Sequence, residues 1–199
     1  MTTLNIVRVL AVATVSAVCA NAAITKIEIT SQGPAYGGHS FAGVGTYEKI
    51  AGKAYGELDP KDRRNKVIVD LSLAPRNANG KVEYVASFLL VKPIDMSKAS
   101  GLIWHDVPNR GRPITNGLFN SPRTRPIAVG SLDQGTGFLQ NRGWSVAVVH
   151  WEMGEGPVFP SFDDGKGGKL YAEGVGFAAV RDVAVFLRDA KHGNPLAGA

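Results

Sequence analysis

Apolar and polar residues alternate along the front of this chain. Residues 24–31 set Ile24, Ile27 and Ile29 against Lys26, Glu28 and Thr30, the pattern of a half-buried strand. Residues 51–58, 66–73 and 81–91 also read as strands, separated by Asp59-Pro60 and Asn79-Gly80. Asn-Gly between two β-rich runs predicts a hairpin turn. Residues 33–45, rich in glycine and holding Pro34, are expected as a loop. The first third of the chain beyond residue 22 is therefore predicted to be antiparallel β.

After Pro93 the pattern changes. Residues 101–105 (GLIWH) form a short apolar run, and a loop rich in Pro, Gly and Arg is expected over 108–126. Residues 136–142 predict a short helix with Gly143 as its stop. The segment 144–151 (WSVAVVHW) is almost wholly apolar, as suits a parallel strand covered on both faces. Residues 154–168 read as a linker. Residues 175–191 give the clearest helix, with Phe177, Val180, Ala184 and Leu187 on one face, and Val183 and Phe186 widening it. Arg181, Asp182, Arg188 and Asp189 fall largely elsewhere, and Gly193 then Pro195 end it. Strand–helix–strand–helix behind antiparallel strands predicts a mixed α/β sheet. A further parallel strand should follow the last helix, and the 199 residues hold none. That would leave residues 146–149 as an apolar sheet edge, so residues 23–199 alone are expected to be poorly soluble or oligomeric.

The first residues differ from the rest. Arg8 is the only charge before Lys26, an apolar run over 9–18 follows it, and Ala20-Asn21-Ala22 supplies small residues. Together they predict an export signal over residues 1–22, with a domain over 23–199. The run is shorter than the roughly 20 residues a membrane span needs, so stable insertion is not expected. Cleavage after Ala22 would remove Cys19, the only cysteine, and with it any disulfide or thiol chemistry. The chain carries a net charge of +5, with basic residues scattered and without interleaved aromatics. Nucleic-acid binding, which needs a basic patch, is not expected.

Several stretches resemble a family of bacterial α/β-hydrolase domain proteins, many of them exported. They are AYGGHSFAGVGTYEKIAGKAYGELDP, KVIVDLSLAPRNANGKVEY, Asn109-Arg110-Gly111, GFLQNRGWSVAVVHW and GFAAVRDVAVFLRD, in that order across most of residues 24–195. The resemblance implies the N-terminal part of an α/β-hydrolase-like sheet, cut before its nucleophile strand. It also implies a periplasmic or extracellular protein acting on a small-molecule ester or amide once a C-terminal half completes it. On this sequence residues 102–105 would be the third strand, Asn109 to Gly111 the start of the oxyanion loop, and 144–151 the fourth strand. The G-x-S-x-G nucleophile elbow of such enzymes does not occur in the 199 residues. The chain as it stands is therefore expected to be inactive, with no catalytic residue assigned. A non-catalytic exported binding or interaction module on the same scaffold is the alternative.

The remaining candidates are few. Gly111 would let backbone N–H groups approach a developing oxyanion, with Asn109 or Arg110 adding a donor; a simple turn with surface arginines is the competing reading. His105 and Asp106 end one predicted strand, His150 and Glu152 another, and ligands of open sheets bind beyond such ends. Two imidazoles and two carboxylates there could hold zinc, though polar residues begin at strand ends in any case. Lys166 and Lys169 among glycines do not meet the phosphate-loop pattern. No cofactor is expected.

Overall fold

The computed structural model describes residues 15–16, 23–69, 71–108, 113–114, 116–121, 133–151, 161–163, 165–172 and 174–197. Three long strands dominate it: β2 (Ile24–Pro34), β4 (Gly45–Leu58) and β5 (Val82–Pro93). β4 pairs antiparallel with β2 on one side and β5 on the other, the second ladder running from Tyr47↔Pro93 to Leu58↔Val82. Shorter strands extend the sheet. β1 (Val15–Ser16) pairs with β2 and β3 (Ser40–Phe41) with β4. β6 (Ile103–Asp106) and β7 (Ser145–Val149) form the one parallel pair among the described residues, and β7 is antiparallel to β5. The order is β1-β2-β4-β5-β7-β6, with β3 off that path. β8 (Ser161–Asp163) and β9 (Lys169–Tyr171) make a separate two-stranded ribbon, and α1 (Val175–Asp189) is the single α-helix described.

This layout corrects the expected fold class. The described chain is mostly β, a mixed sheet with one long helix near its end, and not the α/β-hydrolase-like α/β arrangement. The reason lies in β4 and β5. Gly52 and Gly56 of β4 stand opposite Phe88 and Tyr84 of β5. A Cβ on Gly52 would lie 2.8 Å from the Phe88 ring, and one on Gly56 would strike the Tyr84 ring. Bare glycines receive the two aromatic rings, a cross-strand packing that favours long antiparallel ribbons.

α1 covers one face of this sheet. Val175, Ala179, Val183 and Phe186 pack with Ile50, Ala54, Ala86, Leu90, Ala147 and Val149 in the main core. The opposite face carries two smaller clusters. Phe41, Tyr47 and Val91 form one; Leu139, Val146 and Val148 form the other, joined by Trp104, Phe119 and Trp144.

Several local expectations also change. Residues 66–69 and 71–73 form turns and bends, not strand, because Ile68, Leu71 and Ala74 are buried at a three-residue spacing while Val67, Val69 and Leu73 face out. Asn79-Gly80 is a real turn, Gly80 having φ 73°, but it closes on Asn77 just before β5 and links no two strands. Part of the 33–45 loop is strand, through Pro34 and in β3. The 136–142 helix shrinks to a 3-10 turn, Gln140–Arg142, ended by Gly143 at φ 70°. Within 154–168, β8 forms strand where a linker was expected. Residues 146–149 are no edge: β7 lies between β5 and β6 and is buried throughout. Phe177 is 62% exposed and Asp182 is buried, reversing their predicted faces. The expected signal, 1–22, lies outside the described residues apart from β1. No helix among the described residues is long and apolar enough to cross a membrane.

Candidate functional site

The parallel pair places the sequence-predicted residues at one end of the sheet. His105 stands beside Ala147 and Asp106 beside Val148, so His150 follows directly beyond the paired part of β7. All three lie toward the carboxyl end of the pair, where ligands of parallel strands collect, but His105 projects from the α1 face and Asp106 from the opposite face, so the structure does not gather them into one cluster. Glu152 and Asn109-Arg110-Gly111 lie outside the described residues.

Hydrogen bonds pin the chain on both sides of that 109–111 segment. Asp106, 1% exposed, accepts the backbone N–H of Ile114 through Oδ2 at 3.0 Å. Trp151, one residue beyond His150, donates its indole Nε1–H to the carbonyl of Pro108 at 2.7 Å. A carboxylate that accepts a backbone N–H gives a strong, charge-assisted bond. Pro108 and Ile114, the described residues on either side of that segment, are thus each held by a buried or half-buried side chain. The Trp151 ring in turn stacks on Phe177 of α1, with centroids 4.7 Å apart.

His105 is half-buried, and its Nε2 finds no hydrogen-bond partner among the described residues. Burial pushes its imidazole below the ordinary histidine value, against the opposing pull of the Asp106 charge. A neutral ring near neutral pH can donate or accept a hydrogen bond but carries no charge. Among the described residues no three His, Cys, Asp or Glu side chains come together to hold a metal ion.

The remaining histidines and the Lys166–Lys169 stretch are surface features. His39 and His192 are exposed, His39 resting edge-on against Phe41. Lys166 and Lys169 are exposed on the β8–β9 ribbon. Trp104 and Trp144 pack in the cluster beneath β6 and β7, Trp104 meeting Phe119 at 4.4 Å. Sequence reasoning missed Trp151 as a loop anchor. The only local signal was its place directly after an apolar strand.

Comparison with known proteins returns no matching family model, no matching curated protein and no matching solved structure.

Proposed function

We propose that this chain is the acyl-binding, N-terminal portion of an exported protein that hydrolyses esters or amides, and that the 199 residues bind such a group without cleaving it. The observation that carries the reading is the loop holding Asn109, Arg110 and Gly111. On either side of those residues the described chain is held, the Pro108 carbonyl by Trp151 and the Ile114 N–H by Asp106, beside the carboxyl end of a parallel strand pair. Oxyanion stabilisation needs donors fixed before the carbonyl arrives, and the hydrogen bonds at Pro108 and Ile114 support that reading for the residues between them. The five family-like segments support the same chemistry, and the N-terminal pattern supports export. The sequence supplies no G-x-S-x-G, so attack on the carbonyl requires a nucleophile from elsewhere.

The second reading, an exported binding or interaction module without chemistry, is favoured by that same missing motif. The two separate in one experiment. Purified chain is titrated by calorimetry with a short-chain alkyl amide, and ester turnover is followed on the same sample. Saturable binding with turnover at the buffer rate supports the acyl-binding reading. Absence of binding sinks it and leaves the interaction module. Turnover that tracks protein concentration contradicts the statement that the chain is inactive as it stands.

A further inference from the structure

The turn segment between β4 and β5 shows two kinds of side chain to solvent. Residues 61–73 read KDRRNKVIVDLSL, four cations against two acids. Lys61, Arg63, Arg64 and Lys66 are exposed. Arg64 is tied to Asp62, Nη2 to Oδ2 at 2.6 Å, whereas Lys61, Arg63 and Lys66 make no ion pair among the described residues. Directly after them three aliphatic side chains stand out: Val67 is 83% exposed, Val69 72% and Leu73 61%. Single exposed aliphatics are ordinary on a protein surface. A group of them beside unpaired cations marks an interaction site.

The segment cannot turn these side chains inward, because its inner positions are filled. Ile68, Leu71 and Ala74 belong to the main core, and Ile68 lies so close to Gly174, at the head of α1, that a Cβ there would come within 3.2 Å of it. Asn65 is buried. Its Nδ2 donates to the Asp59 carbonyl at 2.9 Å, and its Oδ1 accepts from Arg181 Nη2 of α1 at 3.1 Å. Backbone bonds from Asn65 N–H to Asp62, Lys66 N–H to Arg63 and Ile68 N–H to Asn65 hold the turns between. Val67, Val69 and Leu73 are therefore displayed on a fixed support.

The make-up of the patch selects its occupant. A nucleic acid would use the cations but gain nothing from the aliphatics, and residues 61–73 offer no aromatic ring for a base to stack on. A protein partner of ordinary size needs about 800 Å² on each side, more than a few aliphatic side chains on a turn supply. An anionic bilayer uses both parts. Its headgroups attract the cations, its apolar boundary takes up shallow side chains, and Lys and Arg stems span the two.

We propose that residues 61–73 form a peripheral docking surface for anionic lipid bilayers, with Val67, Val69 and Leu73 entering the interface and Lys61, Arg63 and Lys66 meeting the headgroups. The attachment is reversible and salt-sensitive, since salt screens exposed charges beyond about 8–10 Å at ordinary ionic strength. It involves no membrane span and does not rest on the acyl-binding reading.

Co-sedimentation of the full chain with vesicles of phosphatidylcholine, alone or mixed with phosphatidylglycerol, tests it. Binding is expected on the anionic vesicles, falling steeply with added salt, and is expected to be weak on the neutral ones. Each cation near such a surface adds about fivefold in affinity, so Lys61→Gln combined with Lys66→Gln should weaken binding about 25-fold. Val67→Ser combined with Val69→Ser should weaken it several-fold. Both pairs should leave the circular dichroism unchanged, because none of these side chains is packed inside. In a Cys19→Ser background, a polarity-sensitive dye on Val69→Cys should shift to the blue on anionic vesicles. The same dye on His39→Cys, which rests against Phe41 on the opposite face of the sheet, should not. Binding that neither pair of substitutions moves, as when the apolar run at 9–18 carries it, overturns the proposal. So does equal binding to neutral vesicles, no binding at all, or a Val69→Cys dye that stays unshifted. A chain that self-associates without vesicles, and stops when Val67 and Val69 are changed, would give the patch to a second copy and overturn it as well.

Discussion

Removing one oxygen, in Tyr84→Phe, tests how α1 is locked to the sheet. The Tyr84 hydroxyl donates to Asp182 Oδ2 at 2.9 Å, and the two residues are 2% and 4% exposed. Burial, then the Asp182 charge, holds the phenol well above its usual pKa, so it stays a donor across the working pH range. On its other oxygen Asp182 accepts from Arg181 Nε at 2.8 Å, and Arg181 continues to Asn65 Oδ1 at 3.1 Å. Phenylalanine keeps the ring against Gly56 but strips one bond from a buried carboxylate. A hydrogen bond to a charged group contributes about 1.5–3 kcal/mol, and water cannot easily replace it at this depth. For a chain of this size that corresponds to a fall in melting temperature of about 3–12 °C. Urea unfolding followed by circular dichroism measures it, with an unchanged m-value showing that only stability moved. A loss below about 0.5 kcal/mol, the range of an ordinary surface substitution, would refute the buried-lock account.

Three further outcomes follow. Gly143→Ala forces φ 70° on a side chain whose Cβ would lie 2.6 Å from the Lys98 carbonyl; it should cost at least about 2 kcal/mol in the same unfolding assay. His105 has its folded pKa lowered by burial, while the unfolded imidazole takes up its proton near pH ~6.5. The unfolded state then binds more protons, so stability falls as pH drops below that value, and His105→Gln should flatten this part of a melting-temperature profile. Trp151→Phe keeps a ring on Phe177 but removes the N–H to Pro108; calorimetric affinity for the amide should drop several-fold while the melting temperature moves little.

The long strands were legible because their alternation is local. β7 was legible as an unbroken apolar run, and α1 as a periodic one. Residues 66–73 misled because Val67, Val69, Leu71 and Leu73 alternate like a strand, yet burial follows Ile68, Leu71 and Ala74. α1 was placed correctly but rotated in expectation. Its buried set includes Asp182, whose partner Tyr84 lies 98 positions earlier, so no window of sequence could show the charge satisfied. The fold class failed for a related reason. β4 and β5 pair at twelve positions, and at two of them, Gly52 and Gly56, the glycine receives a ring from the neighbouring strand, a match visible only once the register is known. At the site, His105, Asp106 and His150 were readable as the polar ends of apolar runs. The bonds from Trp151 to Pro108 and from Ile114 to Asp106 were not, because tertiary placement creates them.

The central claim is that the residues between Pro108 and Ile114 receive an acyl group, and the Trp151 indole N–H, bonded to the Pro108 carbonyl, reports on one side of them. The direct measurement is a ¹⁵N–¹H titration of the three tryptophan indoles with a short-chain alkyl amide, with Trp151 assigned by Trp151→Phe. The account predicts a saturable shift of the Trp151 resonance at the affinity found by calorimetry, larger than any shift of Trp104 or Trp144. A Trp151 resonance that stays in place while the amide binds, or an amide that moves no indole at all, would contradict it.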